Sequence, residues 1–298
     1  MNFVRKLFDR LFSRKPRPPK GAIVQVPPDS GMLESVWSLD GTQSIQVGMG
    51  QSTGIVRTHN EDSLFAMTGN AFGEEPLRGF GLFLVADGMG GHRAGEIASS
   101  ISLKTVAKHV TEHTLMQLFD AESPDENTSL QEILKQALID ANEAVVTKVP
   151  GGGTTLTAAV VMDGELAIGH VGDSRAYVII GNDMKAITRD HSLVERLREL
   201  GQLTPEEAAA HPQRNVLYRA IGQGANLEID TTTHPVPNGG YLLLCSDGLW
   251  GEVSEDIIRG IIYSANHPQD ACEALVRAAN AAGGPDNISA VLVRFPSN

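Results

Sequence analysis

The chain has 298 residues, of which 41% are hydrophobic, and 36 Asp and Glu against 24 Lys and Arg. This apolar content is sufficient for a folded core and excludes a disordered, collagen-like or disulfide-scaffold protein. Residues 1–20 carry a net charge of +6, so the remainder carries −18. A body this acidic would repel a phosphate backbone, and we therefore expect no nucleic-acid partner.

The two cysteines, Cys245 and Cys272, have no spacing typical of a zinc site or of a disulfide framework. We therefore expect a reducing compartment and a cytoplasmic protein. Nowhere does the chain have the roughly 18 consecutive apolar residues that a transmembrane helix needs.

Residues 1–13 form a basic segment with apolar residues at helical spacing. Charges interrupt the apolar positions and no small-residue cleavage site follows, so this is not a signal peptide. Two interpretations stay open: an in-plane contact with anionic lipid at the inner face of the membrane or with a partner, or a basic terminus without fixed structure. Residues 14–43 are rich in proline and predict a linker, so the folded domain spans 44–298.

Within that domain, apolar runs predict strands at 44–50, 81–86, 155–162, 166–171, 175–180, 227–232, 241–246 and 288–295. Helical periodicity predicts helices at about 95–119, 130–148, 192–200, 205–210, 254–264 and 268–281. The three strands between residues 155 and 180 follow one another too closely for helical crossovers, so we expect them to be antiparallel. The pattern favours an α+β layered fold in which helices cover largely antiparallel sheets.

Four aspartates stand at the ends of apolar strands, and they are Asp87, Asp173, Asp247 and Asp286. Each one alone is typical of a turn or a cap, as Asp163–Gly164 is of a hairpin. A carboxylate at a buried strand end is costly unless it is paired or coordinated, and basic residues are few in this domain. The four together therefore favour a site for hard divalent ions such as Mg²⁺ or Mn²⁺.

A second polar cluster, RTHNED at residues 57–62, contains Arg57, Glu61 and Asp62. The planar guanidinium of an arginine suits a phosphate or carboxylate, and neighbouring acids suit a metal. A solvated loop in which Arg57 pairs with its own acidic neighbours is an equal alternative from this hexapeptide alone.

Six motifs occur in order along the chain: RTHNED (57–62), DGMGG (87–91), GGTT (152–155), GDSR (172–175), SDG (246–248) and GPDN (284–287). Together they resemble the bacterial form of the type 2C metal-dependent serine/threonine protein phosphatases. The resemblance covers about residues 44–295. It implies a four-layer α-β-β-α sandwich with two central antiparallel sheets, and hydrolysis of phosphoserine and phosphothreonine in proteins. The implied mechanism is direct attack by a water that bridges two metal ions.

Carried over to this sequence, the resemblance makes Asp87 the ligand that bridges two ions of Mn²⁺ or Mg²⁺, with the Gly88 carbonyl on one of them. Asp247 and Asp286 would hold the other, and Asp173 with Asp247 a third. Arg57 would bind the substrate phosphate. Glu61 and Asp62 would hold metal-bound waters or orient the site.

Two positions depart from the family pattern. Some relatives have a histidine, proposed as the general acid, where this chain has Met89, and His92 is a weak substitute because capping or a surface position would explain it equally well. Gly152 replaces a methionine with no expected effect. Residues 190–224 match the family's flap near the third ion, where His191, His211 and Arg214 would contact substrate or form hydrogen bonds within the flap.

We therefore expect an active phosphatase that acts on phosphorylated proteins, a cognate serine/threonine kinase or its substrates as partners, and a monomer. The alternative is a non-catalytic pseudophosphatase that binds phosphoproteins. All four metal-site aspartates are present, which favours the enzyme. A phosphatase dedicated to one small regulatory protein shares the chemistry but usually lacks the full flap.

Overall fold

The computed structural model describes residues 44–71, 77–90, 93–114 and 128–297. The predicted basic segment (1–13) and linker (14–43) lie outside the described residues, as does the predicted end of the first helix beyond residue 114. No helix of the described part of the chain is both long enough and apolar enough to cross a membrane.

The described residues form twelve strands: β1 (Gln46–Ser52), β2 (Ser63–Ala71), β3 (Leu77–Ala86), β4 (Gly88–Met89), β5 (Gly153–Thr154), β6 (Leu156–Met162), β7 (Glu165–Val171), β8 (Arg175–Ile180), β9 (Asp183–Ala186), β10 (Asp230–Pro235), β11 (Tyr241–Cys245) and β12 (Ile288–Arg294). The helices are α1 (Arg93–His113), α2 (Leu130–Lys148), α3 (Leu193–Glu199), α4 (Pro205–Ala209), α5 (Asp247–Trp250), α6 (Glu255–Ser264) and α7 (Pro268–Ala281).

Two five-stranded sheets dominate the fold. Sheet A has the order β1-β12-β11-β8-β9, and sheet B has the order β10-β7-β6-β3-β2. All neighbouring strands in both sheets are antiparallel. A short pair, β4 with β5, stands apart from them.

Three apolar layers separate four layers of structure. Leu82 and Leu84 of β3 pack with α1 and α2, whereas Phe83 and Val85 of the same strand face sheet A. Sheet A alternates in the same way. Leu242 and Leu244 of β11 face sheet B, whereas the other residues of β11 pack with α6 and α7. Both faces of the central strands of each sheet are therefore buried, which explains why these strands read as continuous apolar runs rather than as alternating ones. The predicted four-layer α+β fold is confirmed.

Local signals predicted several boundaries. Asp163 and Gly164 have φ values of 51° and 82° and join β6 to β7 in a two-residue hairpin. Thr204 and Glu207 form the predicted capping box at the start of α4.

The three strands between residues 155 and 180 were predicted to be antiparallel to one another, and this holds for β6 and β7 but not for β7 and β8. β6 and β7 are an antiparallel pair in sheet B, but β8 belongs to sheet A, where it pairs with β11 and β9. The chain crosses between the sheets at residues 172–174, where Gly172 has a φ of 111°. The short crossing needs no helix because the two sheets are stacked face to face, and it places Asp173 between them.

Candidate active site

Sheet A brings three of the four predicted aspartates to one edge. Cys245, at the end of β11, lies opposite Arg175 at the start of β8 and opposite Ala290 in β12. The acids beside these positions are Asp173, Asp247 and Asp286. Residues far apart in sequence therefore meet because neighbouring antiparallel strands begin and end at the same edge.

Asp87 reaches the same edge from sheet B, where it follows β3. Two threonines fix its backbone: Asp87 N donates to Thr155 Oγ1 over 2.9 Å, and Asp87 O accepts from Thr155 N over 2.8 Å and from Thr154 Oγ1 over 2.9 Å. Both threonines are buried. Sequence reasoning assigned them no role, although their place in the GGTT motif singled them out.

A cavity of about 400 Å³ gathers these groups. Seven of the eight predicted site residues line it, and they are Arg57, Glu61, Asp87, Gly88, Asp173, Asp247 and Asp286. The eighth, Asp62, is 7% exposed and accepts a hydrogen bond at Oδ2 from Ser246 Oγ over 3.0 Å. Met89 also lines the cavity, whereas His92 lies outside the described residues.

The cluster is electrostatically unfavourable without cations. Burial, then the charges of neighbouring aspartates, raises the pKa of Asp87 and that of Asp173 well above the ordinary value. Burial, with a further contribution from Asp247, raises the pKa of Asp62 to about 7. Burial and the charge of Asp286 raise the pKa of Asp247 to about 6. Carboxylates that repel one another and have lost solvent are stabilised by a positive ion.

The donor chemistry fits a hard divalent ion. Two buried carboxylate oxygens, Asp62 Oδ1 and Asp247 Oδ1, have no hydrogen-bond partner. The side chains around them offer oxygen rather than sulfur, which is the donor set that Mg²⁺ and Mn²⁺ prefer. As these side chains stand, no three His, Cys, Asp or Glu residues of the described segments are arranged to hold a metal ion. The acids lie close together, but hydrogen bonds to protein groups already occupy some of their carboxylate oxygens.

Arg57 pairs with Asp286, not with its own neighbours as the loop interpretation would have it. Its Nη2 donates to Asp286 Oδ2 over 2.8 Å. Half of the Arg57 side chain is exposed. Among the Arg and Lys residues of the described segments, only Arg57 lines the cavity of about 400 Å³. Asp286 raises the pKa of Arg57 further through this hydrogen bond.

Asn287 joins the two loops that carry these residues. Its Nδ2 donates to Thr53 O and to His59 O, each over 2.9 Å, and its Oδ1 accepts from Glu61 N over 2.8 Å. The asparagine therefore fixes the RTHNED loop against the loop of Asp286. Sequence reasoning quoted Asn287 as part of a motif without a role for it.

The segment predicted as a flap is tied to the site by Arg175. Its guanidinium donates two bonds to Oδ2 and Oδ1 of Asp190 from separate nitrogens and lies 3.5 Å from the ring centre of Trp250. Trp250 Nε1 in turn donates to Asp173 O over 3.0 Å. Arg175 therefore supports the start of the flap at Asp190 and, through Trp250, the backbone of the predicted metal ligand Asp173.

Three flap residues were predicted to contact substrate or to form hydrogen bonds within the flap. His191 is fully buried, accepts from Gly172 N at Nδ1 and bonds Asp230 through Nε2, so its contacts are structural. His211 Nδ1 accepts from the backbone of the flap itself. Arg214 lines a larger cavity of about 980 Å³ that continues from the smaller one and shares Arg57 with it.

Comparison with known proteins gives the family. The Protein phosphatase 2C family model matches residues 56–290. The serine/threonine phosphatase stp of Listeria welshimeri is 35% identical over 240 residues, which cover 80% of this chain and 92% of that protein. The protein phosphatase PhpP of Streptococcus pneumoniae is 36% identical over 255 residues, covering 84% and 97%.

A solved structure of the catalytic domain of the serine/threonine phosphatase PstP contains two manganese ions. It matches this chain with a TM-score of 0.68 and 30% identity over 84% of this chain and 97% of that one. The predicted family and the predicted activity of a metal-dependent serine/threonine protein phosphatase are confirmed, and the pseudophosphatase alternative is not favoured. The chain belongs to the protein phosphatase 2C family.

Proposed function

We propose that the aspartate cluster at the edge of the two sheets is the active site, and that it hydrolyses phosphoserine and phosphothreonine in proteins with divalent metal ions. The observation that carries this proposal is the convergence of Asp62, Asp87, Asp173 and Asp247, with raised pKa values, beside Arg57. A cavity lined by buried acids with a single arginine suits an anionic substrate only when cations balance the acids.

Asp87, the Gly88 carbonyl, Asp247 and Asp286 are the proposed ligands of two ions of Mn²⁺ or Mg²⁺. Asp173 with Asp247 is the proposed site of a third. Ions bound there activate water as a nucleophile near neutral pH and offset the charge of the phosphate. Thr154 and Thr155 position Asp87 for this by holding its backbone from both sides.

Arg57 has two proposed partners. In the arrangement described above it donates to Asp286, and its exposed position at the junction of both cavities lets it donate to phosphate oxygens instead. Arginine suits this exchange because its planar donors match carboxylate and phosphate alike. With a cation held by Asp286, Arg57 would be free to donate to the non-transferring oxygens of the phosphate and to neutralise their charge.

Glu61 is proposed to orient water in the cavity, and Asp62 to orient the site from its buried position beside the cavity. Asp62 receives its hydrogen bond from Ser246, which leaves its unpartnered Oδ1 as an acceptor. Glu61 lines the cavity, and Asn287 fixes its backbone. Met89 cannot supply the proton that the departing seryl or threonyl oxygen needs, and we propose that water in this open cavity supplies it.

The test is hydrolysis of a phosphothreonine peptide and of para-nitrophenyl phosphate by purified protein with Mn²⁺, with EDTA and after Mn²⁺ is restored. We expect turnover only with the metal. Equal turnover in EDTA would overturn the metal-dependent mechanism. Titration of metal-free protein with Mn²⁺ by calorimetry gives the number of bound ions, and loss of one of three ions in an Asp173→Asn variant would support the third site.

The finer assignments of partners rest on chemistry and sequence. A phosphatase for serine and threonine esters needs a kinase that forms them, so we propose that cells lacking this protein accumulate phosphoserine and phosphothreonine proteins.

We also propose peripheral contact of residues 1–13 with anionic membrane. Failure of the full chain to sediment with anionic vesicles at low salt would exclude that contact. A monomer stays a prediction, which light scattering would test.

A further inference from the structure

We propose that Ile55 and Val56 form a docking surface for an aliphatic side chain of the substrate protein, next to the phosphorylated residue. This inference rests on the proposed function and adds a sequence preference to it. The two residues directly precede Arg57, the proposed phosphate contact. We call the exposed pair the aliphatic rim.

The aliphatic rim is unusual among the exposed apolar residues. Ile55 is 69% exposed and Val56 is 68% exposed, the two highest values among the large apolar side chains of the described segments. They are also the only adjacent pair in that set. A single exposed aliphatic residue needs no explanation, but an exposed pair directly before a residue that lines the proposed catalytic cavity suggests a contact with something bound there.

The backbone presents the aliphatic rim rigidly. Ile55 N and Val56 N both donate to Gly284 O, over 2.7 and 3.2 Å. Gly54, with a φ of 82°, packs so closely that an added Cβ would lie 2.2 Å from Asp286 O. These backbone contacts need no particular side chain at residues 55 and 56, and more than two thirds of each side chain is left exposed.

The position of the aliphatic rim indicates its occupant. Gly284 lies two residues before Asp286, the partner of Arg57, and Pro285 between them lines the larger cavity. The aliphatic rim therefore lies beside the loop of Pro285 and Asp286, which lines the cavity at the proposed phosphate site. A phosphorylated residue held by Arg57 would place its chain neighbour over the rim, and an aliphatic neighbour would bury both surfaces from water.

The test compares two phosphothreonine peptides of equal length and charge that carry either Leu or Ser on both sides of the phosphothreonine. We expect wild-type protein with Mn²⁺ to favour the Leu peptide about tenfold in kcat/KM, as expected for one extra apolar contact. In an Ile55→Ser/Val56→Ser variant this ratio falls to about one. Ile180→Ser is the matched control, since Ile180 is 50% exposed at the far end of β8, and it keeps the preference.

The outcomes separate the two proposals. Hydrolysis of para-nitrophenyl phosphate without any peptide preference in wild-type protein would overturn the docking surface alone. A preference that survives in the double variant would do the same. Absence of all metal-dependent hydrolysis would overturn both the docking surface and the proposed function.

Discussion

Arg57 and Asp286 are separated by 229 positions in the chain, yet the guanidinium of one donates to the carboxylate of the other over 2.8 Å. The pair joins the proposed phosphate contact to a proposed metal ligand. We therefore expect binding of a cation by Asp286 and binding of phosphate by Arg57 to be coupled, because either ligand competes with the hydrogen bond between the two side chains.

An Arg57→Ala variant tests this coupling. We expect kcat/KM for a phosphothreonine peptide to fall about 10²- to 10³-fold, because a charge-stabilising donor is lost. Mn²⁺ should bind as tightly as before or more tightly, since Asp286 no longer has a competing partner. Steady-state kinetics and calorimetry check the two parts, and weaker Mn²⁺ binding would contradict the coupling. Arg57→Lys keeps the charge without the planar fork and should recover only part of the rate.

Asp247→Asn should reduce Mn²⁺ affinity and turnover by at least about 100-fold. The substitution preserves shape but removes a charge from the centre of the cluster, where burial and Asp286 already raise the pKa of Asp247. Calorimetric titration with Mn²⁺ and peptide hydrolysis measure the two effects. Asp256→Asn is a suitable control, because Asp256 is an exposed acid that pairs with Arg259 on α6. Full activity in the Asp247 variant would remove that residue from the metal site.

The stability of the metal-free protein should fall as the pH rises from 5 to 8. The pKa of Asp62 is raised to about 7 and that of Asp247 to about 6, so the folded state binds protons more tightly than the unfolded chain does. Their contribution is complete below the ordinary carboxyl pKa and is lost as the pH passes 6 to 7. Thermal melting in EDTA at several pH values checks this. Asp62→Asn should flatten the slope, and saturating Mn²⁺ should raise the melting temperature most at the higher pH.

His170 should give a pH dependence of the opposite sign. It is buried between Thr157 Oγ1 and Arg189 O, and burial lowers its pKa to about 3. Its contribution is complete above the ordinary histidine pKa of 6.5 and is lost as the pH falls toward 3. Between pH 6.5 and 4.5 the loss is about 2 kcal/mol. Urea unfolding of wild type and of His170→Gln, at both pH values, should show that loss in the difference between the two proteins, because the opposite effect of Asp62 and Asp247 is common to both.

Gly248 and Gly260 make a matched pair for packing. A Cβ at Gly248 would lie 2.0 Å from Asn287 O, whereas a Cβ at Gly260 would meet nothing within 4 Å. Gly248→Ala should therefore destabilise the fold by about 1–3 kcal/mol and displace the loop of Asp286. Gly260→Ala, within α6, should stabilise it by up to about 1 kcal/mol. Denaturant unfolding checks both, and equal effects would contradict the described packing.

The sequence predicted those elements whose signal is local. Helix α2 begins with the capping residue Ser129 and runs over the predicted range, and the hairpin at Asp163 follows from its turn residues. Strand β2 was missed, because its Thr68, Gly69 and Asn70 interrupt the apolar run. Nothing in residues 172–174 alone shows that the chain changes sheets there, since that depends on where β11 lies.

The site was predictable for a different reason. Acids at strand ends stand out in any sequence, and a shared edge brings them together, so Asp87, Asp173 and Asp247 could be named in advance. The supports could not be named: Thr155 and Asn287 act through backbone contacts with residues 68 or more positions away. Their partners follow only from the completed sheets.

The position of β12 has a consequence for biosynthesis. This strand lies between β1 and β11, and β1 pairs with no other strand of the described sheets. A nascent chain that ends before residue 288 therefore cannot close sheet A, and Arg57 still lacks Asp286 as its neighbour until that loop has emerged. We therefore expect hydrolysis of phosphoproteins only after β12 has left the ribosome, and ribosome-bound fragments that end before β12 should have no hydrolytic activity.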